Sequence, residues 1–201
     1  MLHLLAHSFY RTTAGEDKAM PRKESITKQM IFDAAFSLLK EEGKEEVTAR
    51  KLAAKIGCST QPIFRVYGGM EELLSDLYLR GVTYFNEFYH NAGHISDTPF
   101  TDLGMAYIAF AAREKHLFRW LFLPTEKMEK EMYDILNGGE NVVTTQLKRA
   151  AESGCKDPGT LFMKMWVFIH GIACMTLTGD YDLSARETVD MLTQSYHAFL
   201  K

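Results

Sequence analysis

Apolar residues recur every three or four positions through most of the chain, which is the spacing of amphipathic helices. The first clear case runs from about Ser25 to Glu42, where Ile31, Ala35 and Leu38 fall on one face and Gly43 provides a stop. The alternation of apolar and polar residues that is typical of strands is absent from the sequence. The pattern therefore predicts an all-α protein.

Two short helices follow. Thr48 has the position of an N-cap for the first of them, which Gly57 ends. Ser59 is the expected N-cap of the second, which places Pro62 at its third position, where a backbone N–H has no partner within the helix. Pro62 thus indicates the start of a helix and not a break.

The rest of the chain shows the same helical period. Asp157 followed by a proline predicts a helix start, and the capping-box sequence from Ser184 to Glu187 predicts another. The helices expected after the first three cover residues 70–89, 99–115, 117–122, 124–137, 140–153, 157–178 and 184–200. Residues 1–20 show no clear period and are expected to be a flexible tail. The codons of residues 15–18 must be rich in purines, as a ribosome-binding site just upstream of a start codon would be. We therefore also hypothesise that translation starts at Met20.

The pair of short helices forms a candidate helix-turn-helix. Thr60, Gln61 and Arg65 fall on the face opposite Ile63 and Tyr67, which can turn toward the core. Gln can pair with adenine and Arg with guanine through two hydrogen bonds in the major groove. The alternative is a plain helical corner with no role in DNA recognition.

Charge distribution agrees with a DNA-binding front. The chain has 201 residues and a net charge of −3, yet residues 20–68 carry nine Lys/Arg against six Asp/Glu, while residues 69–201 carry twelve against eighteen. Only the front could then meet a polyanion, although a mixed solvated surface would also explain the numbers. Three widely spaced cysteines and the lack of an 18-residue apolar run indicate a reducing, cytoplasmic location without a membrane span.

Residues 25–74 resemble the DNA-binding head of the tetracycline-repressor (TetR) family of transcriptional regulators. The resemblance lies in ITKQMIFDAAFSLLKEEGKEEVTARKLAAKIGCSTQPIFRVYGGMEELL, which has the family's order of helices, caps and glycine stops. It implies a helix-turn-helix domain over residues 21–69 and a helical domain over residues 70–201 that binds an effector and dimerises. The implied function is a one-component regulator, most often a repressor, that binds double-stranded DNA at a palindromic operator and is released by a small-molecule effector.

Within this resemblance the chain departs from the family at three positions that commonly contact phosphate, since it has Phe64 in place of a tyrosine, Val66 in place of a histidine and Met70 in place of a lysine. Other polar and basic side chains must then hold the DNA backbone. The predicted DNA-binding residues are Arg22, Lys23, Lys28, Thr48, Ser59, Thr60, Gln61, Phe64 and Arg65.

The resemblance also implies a homodimer through the last two helices. The segment TLFMKMWVFIHGIACMTLTG is apolar nearly all round, and Gly171 within it allows close approach of another helix. The last helix presents Val189, Leu192, Tyr196 and Phe199 on one face. A helix buried in the core of a monomer is the alternative.

An apolar effector site is expected among the aromatic residues of the rear domain. Tyr107, Trp166 and His170 are the polar handles, and core packing is the alternative for each residue singly. The expected effector-binding residues are Phe85, Phe88, Tyr107, Phe110, Trp120, Phe122, Tyr133, Trp166 and His170. Neither a cofactor nor a metal is predicted. An enzyme on a helical scaffold lacks any supporting catalytic motif, and a helical protein-interaction module remains the other alternative.

Overall fold

The computed structural model describes residues 25–123, Leu136 and residues 142–200. Within these residues the secondary structure is helical, with no strand. The α-helices are α1 (Lys28–Glu42), α2 (Ala49–Ile56), α3 (Gln61–Val66), α4 (Met70–Asn91), α5 (Thr101–Arg113), α6 (Lys115–Phe122), α7 (Val142–Glu152), α8 (Pro158–Thr178) and α9 (Ala185–Phe199). The all-α prediction is confirmed. The expected tail over residues 1–20 and most of the helix expected over residues 124–137 lie outside the described residues.

The helices α1 to α3, called the head below, pack around side chains that are almost fully buried. Ile31, Leu52 and Ile63 contribute one side chain from each helix, and none of them is more than 1% exposed. The Thr48 hydroxyl accepts a hydrogen bond from the Lys51 backbone N–H at the start of α2, as its N-cap position predicts. The head is therefore held together by one shared apolar centre.

Two helix starts differ from the sequence prediction. The first helix begins at Lys28 and not at Ser25, because the Thr27 hydroxyl accepts a hydrogen bond from the backbone N–H of Met30 and so caps the helix there. The third begins at Gln61, with Thr60 as its N-cap and no capping bond from the Thr60 side chain. The prediction that Ser59 is the N-cap is wrong by one residue, and Pro62 lies at the second helical position, still in the first turn.

The rear domain is built around α5, which contacts α4, α6, α8 and α9. A Cβ placed on Gly104 of α5 would lie 2.9 Å from Ile169 Cδ1 and 3.1 Å from Leu192 Cδ1. The absence of a side chain at Gly104 thus lets α8 and α9 pack directly on the α5 backbone. The Asp157 cap, the left-handed Gly179 at the end of α8 and the Ser184 capping box are all present as predicted.

The helix α8 has the length and apolar composition of a membrane span, but 39% of its apolar 18-residue window is buried inside the protein. Core helices of water-soluble proteins have the same character, and α8 packs on α5 and α9. The last helix corrects one expectation: Leu192 and Tyr196 are 0% and 2% exposed. These two side chains pack within the protomer and are not presented to a second copy.

Candidate functional site

The α3 surface divides into a buried and an exposed side. Ile63 and Tyr67 are each 1% exposed, and they anchor the helix to the head. The expected base-reading residues Thr60, Gln61 and Arg65 are all exposed, together with Ser59. Phe64 is 52% exposed on the same side, so an aromatic ring stands in the middle of this polar face. We call the exposed face formed by Ser59, Thr60, Gln61, Phe64 and Arg65 the reading face.

The cations around the reading face are not equivalent. Lys51 and Lys55 of α2 form ion pairs with glutamates at the end of α1 and in the turn after it. Arg65 has no ion-pair partner among the residues that the structure describes, and the same holds for Arg50, which is exposed at the second position of α2. Arg50 was not among the sequence candidates. Lys51 and Lys55 lie one turn apart on the same face of α2, whereas Arg50 is one position off that face. The sequence could therefore have shown that Arg50 is not paired with the same carboxylates.

Lys28 is engaged inside the protein. Its ammonium lies 3.1 Å from the Asp76 carboxylate of α4 and 4.6 Å from the centre of the Tyr67 ring. The hydrogen bond to Asp76 is the main reason that the pKa of Lys28 is raised. This side chain therefore links α1 to α4 at the surface, whatever else it contacts. Arg22 and Lys23, the other two basic candidates, lie outside the described residues.

A cluster of aromatic side chains fills the rear domain where α4, α5, α6 and α8 meet. Tyr107 is its centre and is fully buried, with ring centroids 4.8 Å from Phe122 and 4.7 Å from Trp166. Phe85 and Phe110 pack edge-on at 5.2 Å from each other. The structure thus brings together seven of the expected effector-binding residues, namely Phe85, Phe88, Tyr107, Phe110, Phe122, Trp166 and His170.

The polar groups of this cluster bind each other. The Tyr107 hydroxyl lies 2.9 Å from His170 Nδ1. Burial raises the pKa of the Tyr107 hydroxyl and lowers the pKa of the His170 imidazole, so both groups are neutral near pH 7. The tyrosine O–H can then donate to the unprotonated ring nitrogen. An effector that binds in this region has either to break the hydrogen bond between Tyr107 and His170 or to bind beside it while it stays intact.

Phe88 lies at the edge of the cluster, with its ring edge-on to Phe110 at 5.3 Å between centroids. It is half-buried and also lines a groove of about 480 Å³ between α4 and α5, whose wall includes Tyr84 and Arg113. Trp120 is half-buried on α6, with its ring packed edge-on against Tyr78. Tyr133 lies outside the described residues.

One buried member of the cluster escaped the sequence analysis. Phe118 is fully buried, with its ring centroid 4.9 Å from Tyr107 and 5.2 Å from Phe122. It precedes Phe122 by four residues on α6. This spacing puts both rings on one helix face and was the signal for Phe118.

The helix α8 also has an apolar face that no described residue covers. Met163, Val167 and Met175 are 55%, 67% and 46% exposed. Gly171 continues the four-residue spacing between them, and a Cβ added there would meet nothing within 4 Å. We call these four positions the α8 stripe. An exposed apolar row of this kind is typical of a surface that another protein covers.

Comparisons with known proteins agree with this arrangement. The family model described as "Bacterial regulatory proteins, tetR family" matches residues 31–77, and the model described as "Tetracyclin repressor-like, C-terminal domain" matches residues 100–198. A search of curated proteins finds no match to the chain.

Among solved structures, the fold is similar to that of a TetR-like transcriptional regulator from Rhodococcus sp. RHA1. The TM-score is 0.60 and the identity 17%, over 90% of this chain and 98% of that one. A TetR-family regulator from Mesorhizobium loti MAFF303099 is less similar, with a TM-score of 0.46 and 18% identity over 86% and 94% of the two chains. At these identities the first likeness supports the fold alone.

The two family models lie in the order of the two parts of the fold, with the head and the start of α4 in the first and most of the rear domain in the second. Together they account for most of the chain. Regulators of this family bind DNA and are not enzymes, which removes the enzyme alternative. The chain belongs to the TetR family of bacterial regulatory proteins and is a DNA-binding transcriptional regulator.

Proposed function

We propose that this regulator is a cytoplasmic repressor that binds a palindromic operator as a homodimer and leaves it when a small, largely apolar effector binds. The observation that supports this most strongly is the reading face. It presents polar side chains from a short helix whose other side is anchored by Ile63 and Tyr67. The division into a DNA-binding domain over residues 21–69 and an effector and dimer domain over residues 70–201 is part of the proposal.

In this proposal Gln61 and Arg65 read bases in the major groove. Both side chains are exposed and lie four residues apart, so they can reach neighbouring base pairs from one helix face. Gln suits adenine and Arg suits guanine, and each such contact contributes roughly 1–3 kcal/mol of discrimination. Thr60 and the Phe64 ring are suited to apolar contact with a thymine methyl group.

The DNA backbone is held by other groups. The first N–H groups of α2 lie beside the exposed Thr48, and Arg50 adds a positive charge that no described carboxylate neutralises. Helix starts with nearby cations are suited to phosphate. Ser59 adds a hydroxyl next to the reading face. Lys28, which is engaged with Asp76, would have to exchange that partner for a phosphate.

The α8 stripe is the proposed centre of the homodimer. A twofold axis would bring the stripe of one protomer against the stripe of the other, with Gly171 allowing close approach. Two heads about one DNA turn apart, roughly 34 Å, would then read a palindrome. The last helix joins the interface through side chains other than Leu192 and Tyr196, which are buried in the protomer.

The aromatic cluster is the proposed effector region. Its walls are apolar, and the bonded pair of Tyr107 and His170 supplies the polar group that orients a ligand. An effector changes DNA binding only if it binds the DNA-released arrangement of the protein more tightly than the DNA-bound one. This condition favours a ligand that inserts between α5 and α8, since those helices carry the pair.

The test is a DNA-binding measurement on an operator selected from random duplexes with the wild-type protein. The double variant Gln61→Ala plus Arg65→Ala is expected to bind this operator at least about 30-fold more weakly, because both base contacts are lost. A matched control is Asn91→Ala plus Arg119→Ala, which removes an amide and a guanidinium from exposed positions of the rear domain outside α8 and α9. Equal affinity of both double variants would show that α3 is not the reader.

A further inference from the structure

A polar cluster lies at the junction of the head and the rear domain. Lys40 from the last turn of α1 places its ammonium 2.8 Å from the Tyr84 hydroxyl oxygen of α4 and 3.0 Å from Glu114 Oε1. The Tyr84 hydroxyl donates to the same Glu114 oxygen over 2.7 Å. Each member thus contacts both others, and they come from three separate parts of the fold. We call these three residues the junction triad.

The junction triad is better protected from water than the other ion pairs of the head. The side chains of Lys40 and Glu114 are 30% and 15% exposed, while those of Lys28 and Asp76 are 55% and 38% exposed. Burial alone would lower the pKa of Lys40, but its hydrogen bonds to Tyr84 and Glu114 outweigh this, and the pKa is raised. Exposed pairs contribute little, whereas breaking a protected pair leaves a costly unpaired charge.

Glu114 occupies a special place in the chain. It is the single residue between α5 and α6, and its backbone N–H donates to the Phe110 carbonyl over 2.8 Å. Its own carbonyl accepts from the Phe118 N–H at the same distance. The Glu114 backbone is therefore bonded to both helices, and its carboxylate moves with the corner that they form.

Tyr84 connects this corner to two sets of rings. Its ring packs edge-on against Phe36 of α1, at 5.8 Å between centroids, and lies 6.2 Å from Phe110 of the aromatic cluster. The guanidinium of Arg80 lies within 5.5 Å of both the Phe36 and Tyr84 rings. A change in the packing of Phe110 therefore reaches Tyr84 by direct contact, and reaches α1 through the hydroxyl.

From these contacts we propose that the junction triad of Lys40, Tyr84 and Glu114 sets the orientation of the DNA-reading head relative to the α5–α6 corner. It acts as a positioning device and takes no part in contacting DNA or effector. A displacement of the corner, such as an effector in the aromatic cluster would cause, either drags α1 with it or leaves charges unpaired. This inference rests on the proposed function, because it names the connection through which that function is regulated.

Charge reversal provides the main test. Lys40→Glu and Glu114→Lys each place two like charges side by side, so each is expected to weaken binding to the selected operator at least about tenfold. The combined reversal restores opposite charges, and the Tyr84 hydroxyl can bond to either arrangement because it both donates and accepts. Its operator affinity is expected to return to within about threefold of wild type.

Tyr84→Phe is the milder variant, since it keeps the ring and its packing. It is expected to lower operator affinity about threefold to tenfold while the protein stays folded and dimeric. The matched control is Tyr181→Phe, which removes a half-buried hydroxyl from the loop between α8 and α9, far from the junction along the chain. This hydroxyl is hydrogen-bonded to Thr188 over 2.8 Å. That control is expected to change stability without changing operator affinity by more than about twofold.

Hydrogen–deuterium exchange separates failure of this inference from failure of the proposed function. If the wild-type protein selects no DNA at all, the function is wrong, but the triad still predicts faster exchange at the end of α1 and the start of α6 in Tyr84→Phe than in Tyr181→Phe. Equal exchange in these two variants would overturn the inference. Equal operator affinity of the single reversals and the wild type would overturn it as well.

Discussion

At the residue scale, Tyr107 and His170 show how a polar pair is accommodated among rings. Each would be costly to bury alone, and the 2.9 Å contact between them satisfies both. The imidazole is half-buried, which lowers its pKa from the ordinary value of 6.5. Folding therefore favours the neutral form of His170, and protonation opposes the folded state.

This makes stability depend on pH in a defined direction. As the pH falls below about 6.5, the unfolded chain binds a proton at His170 before the folded protein does, so the free energy of unfolding decreases. His94, whose pKa is raised mainly by its hydrogen bond to Asp102, acts in the opposite direction. His170→Gln is expected to flatten the acid side of the profile of unfolding free energy against pH, measured by urea denaturation.

The exposed His197→Gln serves as the control for this measurement, because it removes a histidine outside the aromatic cluster. It is expected to leave the acid side of the profile as steep as in the wild type. A His170→Gln profile with the wild-type slope would show that this imidazole is not linked to folding.

At the scale of helices, the sequence predicted local features well and facing directions less well. Thr48, Asp157 and Ser184 were correctly predicted as caps, because a cap depends on bonds within one turn of the chain. Ser59 was not, since the turn after Gly57 takes one more residue before α3 begins. The division of α3 into a buried and an exposed side could likewise be predicted from spacing alone.

Contacts between distant parts of the chain explain the remaining differences. The pairing of Lys28 with Asp76 joins residues far apart in sequence, and no local pattern indicates it. Leu192 and Tyr196 were correctly recognised as an apolar face, but a periodic pattern does not say whether that face meets its own protomer or a partner. The junction triad depends on three such distant contacts and was invisible in the sequence for the same reason.

The close contact at Gly104 gives a prediction at this scale. A methyl group there would lie 2.9 Å from Ile169 Cδ1, so Gly104→Ala is expected to destabilise the protein by about 1 kcal/mol, after the better helix propensity of alanine is subtracted from the overpacking cost. Ile169→Val removes that Cδ1 atom. The two substitutions together are expected to cost less than the sum of their separate effects in thermal denaturation. Strict additivity would contradict the close packing of α5 on α8.

At the scale of the whole molecule, the proposed homodimer depends on the α8 stripe. Val167→Glu places a charge at its most exposed apolar position, and a twofold interface would bury two such charges. The dimer is expected to weaken by at least about 3 kcal/mol, or more than a hundredfold in its dissociation constant, by analytical ultracentrifugation. Operator binding should weaken with it.

Ile95→Glu is the matched control for this prediction, since Ile95 is 51% exposed in the loop after α4 and lies outside the stripe. It is expected to leave the dimer unchanged. Dissociation of both variants, or of neither, would place the interface somewhere other than α8.

The brevity of α3 has a consequence for how the protein responds to heat. A helix of six residues whose N-cap side chain makes no hydrogen bond is too short to be stable in isolation, and its order comes from the burial of Ile63 and Tyr67. Segments with so few anchors open in local fluctuations that leave the remaining helices intact. On warming, α3 is therefore expected to lose its order before the rest of the fold unfolds, and backbone hydrogen exchange in α3 measured at rising temperature would show this.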